Sequence, residues 1–249
     1  MITVNNIKKT TLYVFMCLLV WFFMFFLMDA DINIYDEGLI LTGVMRVGMG
    51  DVLHRDFYAN YGPAQFYILK TLFDWVGATI MVERLYDSCI KSLIVMFVFF
   101  VCRKIGIRLF ISIGVAFLSG IWLLASKAAA YPMTPIIFLV LFVLVFLFNW
   151  MKKTEGITSL KNSCVTLIFI GGLVGVIALF RYDVGFFVLS ATILSLGYFY
   201  YIYKENLNIE VKWIYFSCFF IAVGAIFVFS PYAIWILKQG AFLAFIHDI

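Results

Sequence analysis

Seven apolar runs and one long polar interruption make up this chain. The runs cover roughly residues 12–28, 83–102, 107–126, 135–150, 164–180, 184–203 and 213–237, and each predicts a membrane-spanning helix. Residues 241–249 begin a further element. The interruption, residues 29–87, has a periodicity of its own. Leu39, Ile40, Val44 and Val47 can share one face of a helix over residues 38–47. Gly48, Gly50 and Asp51 break that helix, Gly62-Pro63 marks a turn, and residues 65–76 predict a second short helix. Both would lie along the membrane surface rather than cross it. The expected fold class is all-α: a polytopic transmembrane helix bundle of about seven spans, residues 1–249 forming one domain, with interfacial helices in a large first loop.

Composition excludes other classes. The 249 residues are 65% hydrophobic and 13% charged, with a mean hydropathy of +1.07; soluble domains carry about 25% charged residues. In lipid a helix satisfies its own backbone, and unbroken apolar runs do not fit the alternation of a barrel. The net charge of +4 forms no basic stripe, so nucleic acid is not an expected partner. The five cysteines (Cys17, Cys89, Cys102, Cys164 and Cys218) lie in or at the ends of apolar runs with no metal spacing, and read as small apolar residues. Lys8 and Lys9 before the first run resemble the start of a signal peptide, but no small-x-small cleavage site follows. That run is expected to stay as a helix. Gly171-x-x-x-Gly175 in the fifth run suits close helix packing.

Charge sets the expected orientation. With alternating spans, Lys8/Lys9, Arg103/Lys104/Arg108, Lys152/Lys153/Lys161 and Lys204/Lys212 share one side, which the positive-inside rule makes cytoplasmic. The N-terminus is then cytoplasmic, and the expected location is the plasma (inner) membrane. Residues 29–87, which hold nine of the 14 acidic residues, face outward. The loop around Lys127, the Arg181-Tyr182-Asp183 turn and Lys238 share that outer side.

The outward stretch is where chemistry is expected. Asp36 and Glu37 fall in the first turn of the amphipathic segment. Acids there favour the helix dipole, and they would equally present carboxylates at the mouth of the bundle; spacing leaves both readings open. His54-Arg55-Asp56-Phe57 follows, then Tyr61. Phe57, Tyr58, Tyr61, Phe66 and Tyr67 suit headgroup anchoring, or stacking on a sugar. Asp74 and Glu83 are expected in solvated or capping positions. Arg84 opens the second span and can snorkel to the headgroups. Arg181, two residues from Asp183, could instead bind a phosphate. Lys127 is a weaker candidate for that task.

The pattern Tyr35-Asp36-Glu37-Gly38, Gly50-Asp51, Arg55-Asp56-Phe57 and Tyr61-Gly62-Pro63 resembles bacterial membrane glycosyltransferases of the family 39 type. These are GT-C relatives of the protein O-mannosyltransferases and the lipid A aminoarabinose transferases. Arg84 and the stretch Phe180–Gly185 fit the same group. The resemblance spans roughly residues 10–240, and family members are considerably longer, so it implies the N-terminal part of a longer pattern. It also implies an inverting transfer of a sugar from a polyprenyl-phosphate donor to a glycan, lipid or protein hydroxyl outside the cytoplasm. By motif, Asp36 would be the base, with Glu37 beside it. Arg181, Arg55, His54 or Lys127 would face the leaving phosphate, with Asp56, Tyr61, Arg84 and Asp183 completing substrate binding. No metal ligand is assigned; some relatives place a divalent metal in this region, and one histidine among several carboxylates is compatible with it.

Two other classes stay open. A lipid or glycan transporter would place ionisable groups deep in the spans, which here look nearly free of charge. A non-catalytic membrane subunit would fit the short length.

Overall fold

A backbone that must satisfy its own hydrogen bonds folds these apolar runs into helices. The computed structural model describes residues 4–28, 33, 35–126, 130–154, 160–203 and 211–248, without the side chains of 4–13, 36, 153–154 and 160–163. The described residues form ten helices: α1 (Val4–Phe26), α2 (Asp36–Gly48), α3 (Pro63–Val76), α4 (Ile80–Lys104), α5 (Leu109–Ala125), α6 (Met133–Thr154), α7 (Leu160–Phe180), α8 (Tyr182–Tyr203), α9 (Lys212–Lys238) and α10 (Phe242–Asp248). Among them there is no sheet, only an isolated bridge between Leu53 and Phe57. Four segments are long and apolar enough to cross a membrane: Ile80–Lys104, Met133–Lys152, Tyr182–Tyr203 and Lys212–Lys238. The other three expected spans contain shorter apolar helices, Val14–Phe26, Leu109–Ala125 and Cys164–Phe180. The fold is thus that of an all-helical membrane protein.

The chain divides into two units. The first comprises Met1–Thr42 and Leu69–Phe138, and is organised on α4, against which α1 and α5 both pack. Met24 of α1 and Gly120 of α5 meet tightly there: a Cβ at Gly120 would lie 2.7 Å from the Met24 methyl. The buried face of α4 changes character along its length. Glu83, Arg84, Asp87, Ser88, Lys91 and Ser92 occupy its first three turns, and Ile94, Val95, Met96, Phe99 and Cys102 follow.

The second unit comprises Gly43–Ile68 and Leu139–Ile249, and is organised on the α7–α9 pair. Leu167, Ile170, Val174 and Ile177 form the buried stripe of α7. The glycine pair read from the sequence does what was expected of it. A Cβ at Gly171 would come 2.0 Å from the Ile221 carbonyl oxygen, and one at Gly175 2.8 Å from that of Ala225. Gly224 answers from α9, where a Cβ would meet the Ile168 carbonyl oxygen at 2.1 Å.

Helix ends aim the polar segments. Gly50 (φ +100°) ends α2, its N–H bonding to Val47 O and that of Asp51 to Arg46 O. Gly240 (φ +68°) closes α9 in the same way and turns the chain into α10. The buried face of α2 consists of Glu37, Ile40, Val44 and Val47, while Leu39 is 52% exposed. Three residues of the expected stripe are therefore buried as expected; Leu39 is not, and the carboxylate of Glu37, one turn before Ile40, completes the face.

Candidate functional site

In the first unit the sequence places Glu37 at the start of α2 and four charged residues, Glu83, Arg84, Asp87 and Lys91, in the N-terminal half of α4. Glu83, Asp87 and Lys91 are spaced four apart and so share a helical face. Glu37 is anchored twice. Its Oε2 accepts a hydrogen bond from the Asn33 backbone N–H at 3.2 Å, in the manner of a helix cap. It also accepts one from Arg84 Nη2 at 3.0 Å, while Oε1 lies 2.7 Å from Arg84 Nη1. The same Nη1 donates to Glu83 Oε2 at 2.9 Å, and the other oxygen of Glu83 accepts from the Ala130 backbone N–H. One turn on, Asp87 pairs with Lys91 at 2.7 Å and takes a hydrogen bond from the Thr134 hydroxyl. All five charged side chains are buried, with side-chain exposures between 0% and 8%.

Two expectations are corrected here. Arg84 does not snorkel: it is held inside by two carboxylates. Glu83 is neither solvated nor merely capping, but sits at the centre of the network. Asp74 is exposed as expected and paired with Lys70. The beginning of α4 is also far from charge-free. Lys91 lies eleven residues past Ile80, about 16 Å along the axis at 1.5 Å per residue.

The second unit holds the His54 loop. Arg46 reaches over it from α2, donating to Asp51 at 2.6 Å and to the Asp56 carbonyl at 2.7 Å, with its guanidinium 4.9 Å from the Phe57 ring centre. Arg55 grips Asp56 with two hydrogen bonds, at 3.0 and 2.9 Å, and touches Gln239. That grip, aided by the Val52 N–H, pulls the Asp56 carboxyl down to about 2 and raises the Arg55 guanidinium above its ordinary value. His54 is the exception among these exposed groups. Its imidazole is fully buried, with Nδ1 2.8 Å from Asp248 and Nε2 3.2 Å from the Tyr182 hydroxyl. The Tyr182 hydroxyl reaches that of Tyr232 at 3.3 Å. His54 adopts φ +68°, a left-handed conformation uncommon outside glycine, and so rests on those contacts.

The Tyr61-Gly62-Pro63 turn docks on the end of α7. The Gly62 N–H donates to Phe180 O at 2.9 Å, and a Cβ at Gly62 would come 2.1 Å from Leu179 O. Only glycine fits there, and Pro63 then starts α3 at a position where its missing N–H costs nothing. The turn puts the buried Tyr61 ring under Arg181, whose guanidinium carbon is 5.9 Å from the ring centre. Arg181, the single residue between α7 and α8, donates to Asp183 at 2.9 Å.

The structure thus groups Glu37 with Arg84 in one unit, and His54, Arg55 and Asp56 in the loop of the other. Tyr61, Arg181 and Asp183 gather at the α7–α8 junction of that second unit. The Asp36 side chain, Lys127, Asp29 and Asp31 lie outside the described residues. Sequence reading missed Glu83, Asp87 and Lys91 as a network, although their four-residue spacing signals it. It also missed Asp248, Tyr182 and Tyr232 around His54, for which no local signal exists. No group of three His, Cys, Asp or Glu among the described residues could hold a metal ion. The carboxylates of Glu37 and Glu83 are bound to Arg84, and both His54 nitrogens are engaged, so these residues do not fit a divalent metal. The chain matches no family model, no curated protein and no solved structure.

Proposed function

We propose that the chain is an inverting membrane glycosyltransferase that moves a sugar from a polyprenyl phosphate to an acceptor hydroxyl outside the cytoplasm. In this reading the three shorter apolar helices also cross the membrane, making seven spans. α2 and α3 lie at the outer interface, and the basic helix ends face the cytoplasm. The observation that carries the reading is the start of α2: an Asp-Glu pair in a first helical turn, with Glu37 tied down by Arg84 and the Asn33 N–H. Glu37 is spoken for, which leaves Asp36 as the base. Asp36 takes the proton of the acceptor hydroxyl as its oxygen bonds to the anomeric carbon. The bond from that carbon to the lipid phosphate breaks with the electron pair on the phosphate oxygen.

The leaving phosphate needs positive charge. His54 is buried with both nitrogens in use, and Arg84 is locked to two carboxylates. Of the second unit's arginines, Arg55 and Arg181 keep part of the guanidinium exposed, and each is paired with a neighbouring acid that a phosphate would have to outcompete. The test is transfer of labelled sugar from a polyprenyl-phosphate donor by membranes carrying the wild type or Asp36→Asn. General-base catalysis predicts a loss of about 10²–10⁴-fold; equal transfer by both proteins removes Asp36 from the role.

A second reading has one observation in its favour. The buried Asp87–Lys91 pair inside α4 is the kind of intramembrane charge that transporters use. Flux of a lipid or glycan in vesicles without any sugar transfer would support it over the enzyme.

A further inference from the structure

The six arginines of this chain all lie among the described residues, and they divide sharply. Arg46, Arg55, Arg84 and Arg181 each pair with a carboxylate of the fold. Among the described residues, Arg103 and Arg108 do not. They sit with Lys104 on the hairpin between α4 and α5, three cations within six residues. The sequence contains no acid at all between Asp87 and Glu155. Arg103 donates to the Ile107 carbonyl, and Lys104 and Arg108 are exposed with no side-chain partner among the described residues.

Beyond the Arg103 bond to Ile107 O, the hairpin does not draw on these charges for its shape. Gly106 (φ +89°) closes α4, with its N–H on Arg103 O and that of Ile107 on Cys102 O. At the start of α5, the Ser112 N–H and hydroxyl both bond to Arg108 O. The favourable alignment of Arg103 and Lys104 with the C-terminal dipole of α4 accounts for those two, but not for Arg108, which precedes α5. Apolar side chains interleave with the cations. Ile105 is 60% and Phe110 86% exposed, at the ends of helices whose outer faces are themselves apolar and exposed.

A dissolved phosphate or nucleotide would engage the cations alone and make no use of the adjoining Ile105 and Phe110. A surface with anionic groups directly above hydrocarbon satisfies both. We propose that the α4–α5 hairpin is a binding site for anionic phospholipid, the phosphates on Arg103, Lys104 and Arg108 and the acyl chains against Ile105 and Phe110. Nothing in this depends on the glycosyltransferase reading: it rests on a different end of α4 from the Glu37–Arg84 network.

The test is lipid selectivity of the full chain in phosphatidylcholine vesicles carrying spin-labelled phosphatidylglycerol or spin-labelled phosphatidylcholine. The motionally restricted fraction of each label gives their relative binding. Wild type should hold the anionic label more tightly, and that preference should shrink on addition of salt. Each of Arg103→Gln, Lys104→Gln and Arg108→Gln should lower the preference by about fivefold or less, and the triple variant should abolish it. Arg108→Lys should keep most of it, which separates charge from any effect on folding. Equal retention of the two labels by wild type overturns the proposal, as does a preference that survives in a folded triple variant. Loss of preference in Arg108→Lys as complete as in Arg108→Gln would also overturn it as a charge-based site.

Discussion

The start of α4 and the His54 loop with the α7–α8 junction of the second unit use the same chemistry, arginine against carboxylate, to opposite ends. In the first, Arg84 is shared by Glu37 and Glu83, and all three are withdrawn from water. In the second, Arg55–Asp56 and Arg181–Asp183 make bonds just as short but keep part of their surface in solvent. Breaking a buried pair strands a charge without solvent, whereas breaking an exposed one returns both partners to water. Distance therefore does not tell these pairs apart; burial does. The α4 network ties α2 to α4 within the first unit, whereas the exposed pairs remain in contact with solvent.

The largest effect expected from this contrast is at Arg84. Arg84→Gln leaves two buried carboxylates facing each other and should cost about 3–5 kcal/mol, read as a lowered denaturation midpoint or loss of folded protein in detergent. A wild-type midpoint for this variant would break the comparison at its strong end. His54 comes next. His54→Ala removes the partner of Asp248 and puts alanine at a left-handed φ, and should destabilise by about 1–3 kcal/mol. His54→Asn, which tolerates that conformation better, should be the milder of the two. Arg181→Gln should change stability by about 1 kcal/mol or less, and in the proposed reaction should weaken donor use, seen as a raised donor KM. A large stability loss there would mean that the exposed pair is structural after all.

The smallest expected effect is one of pH. Arg55 and the Val52 N–H lower the Asp56 carboxyl to about 2, so the folded loop favours the ionised form. The order this confers is complete above the ordinary carboxylate range and is lost as pH falls through about 2. In Arg55→Gln the loss should begin at higher pH. A carbon-13 label on aspartate, followed by NMR across an acid titration, would show both transitions.

Much of the fold was legible because hydropathy and backbone satisfaction act on whole runs. The boundaries of α7 and α8, the tight α7–α9 contact at Gly171 and Gly175, and the turn at Gly62-Pro63 follow from local composition. The α4 network did not, because Glu83 and Asp87 sit where a polar loop gives way to an apolar run, and either assignment fits their immediate neighbours. Only the four-residue spacing through to Lys91 places them on one buried face. Leu39 was misplaced because the fourth buried place on α2 goes to Glu37, whose partner Arg84 lies 47 residues later. The His54–Asp248 contact joins residues 194 apart, and no periodicity carries information over that distance.

The reciprocal fit of α7 and α9 has a consequence for motion. Where Gly171 and Gly224 each leave a slot for a carbonyl of the opposite helix, backbone meets backbone, with no side chain between that could change rotamer to absorb a displacement. Sliding one helix past the other by a single residue, about 1.5 Å, would drive a side chain into the space the carbonyl now fills. The two helices are geared rather than greased. The pair α7–α9 therefore moves as one body within the second unit.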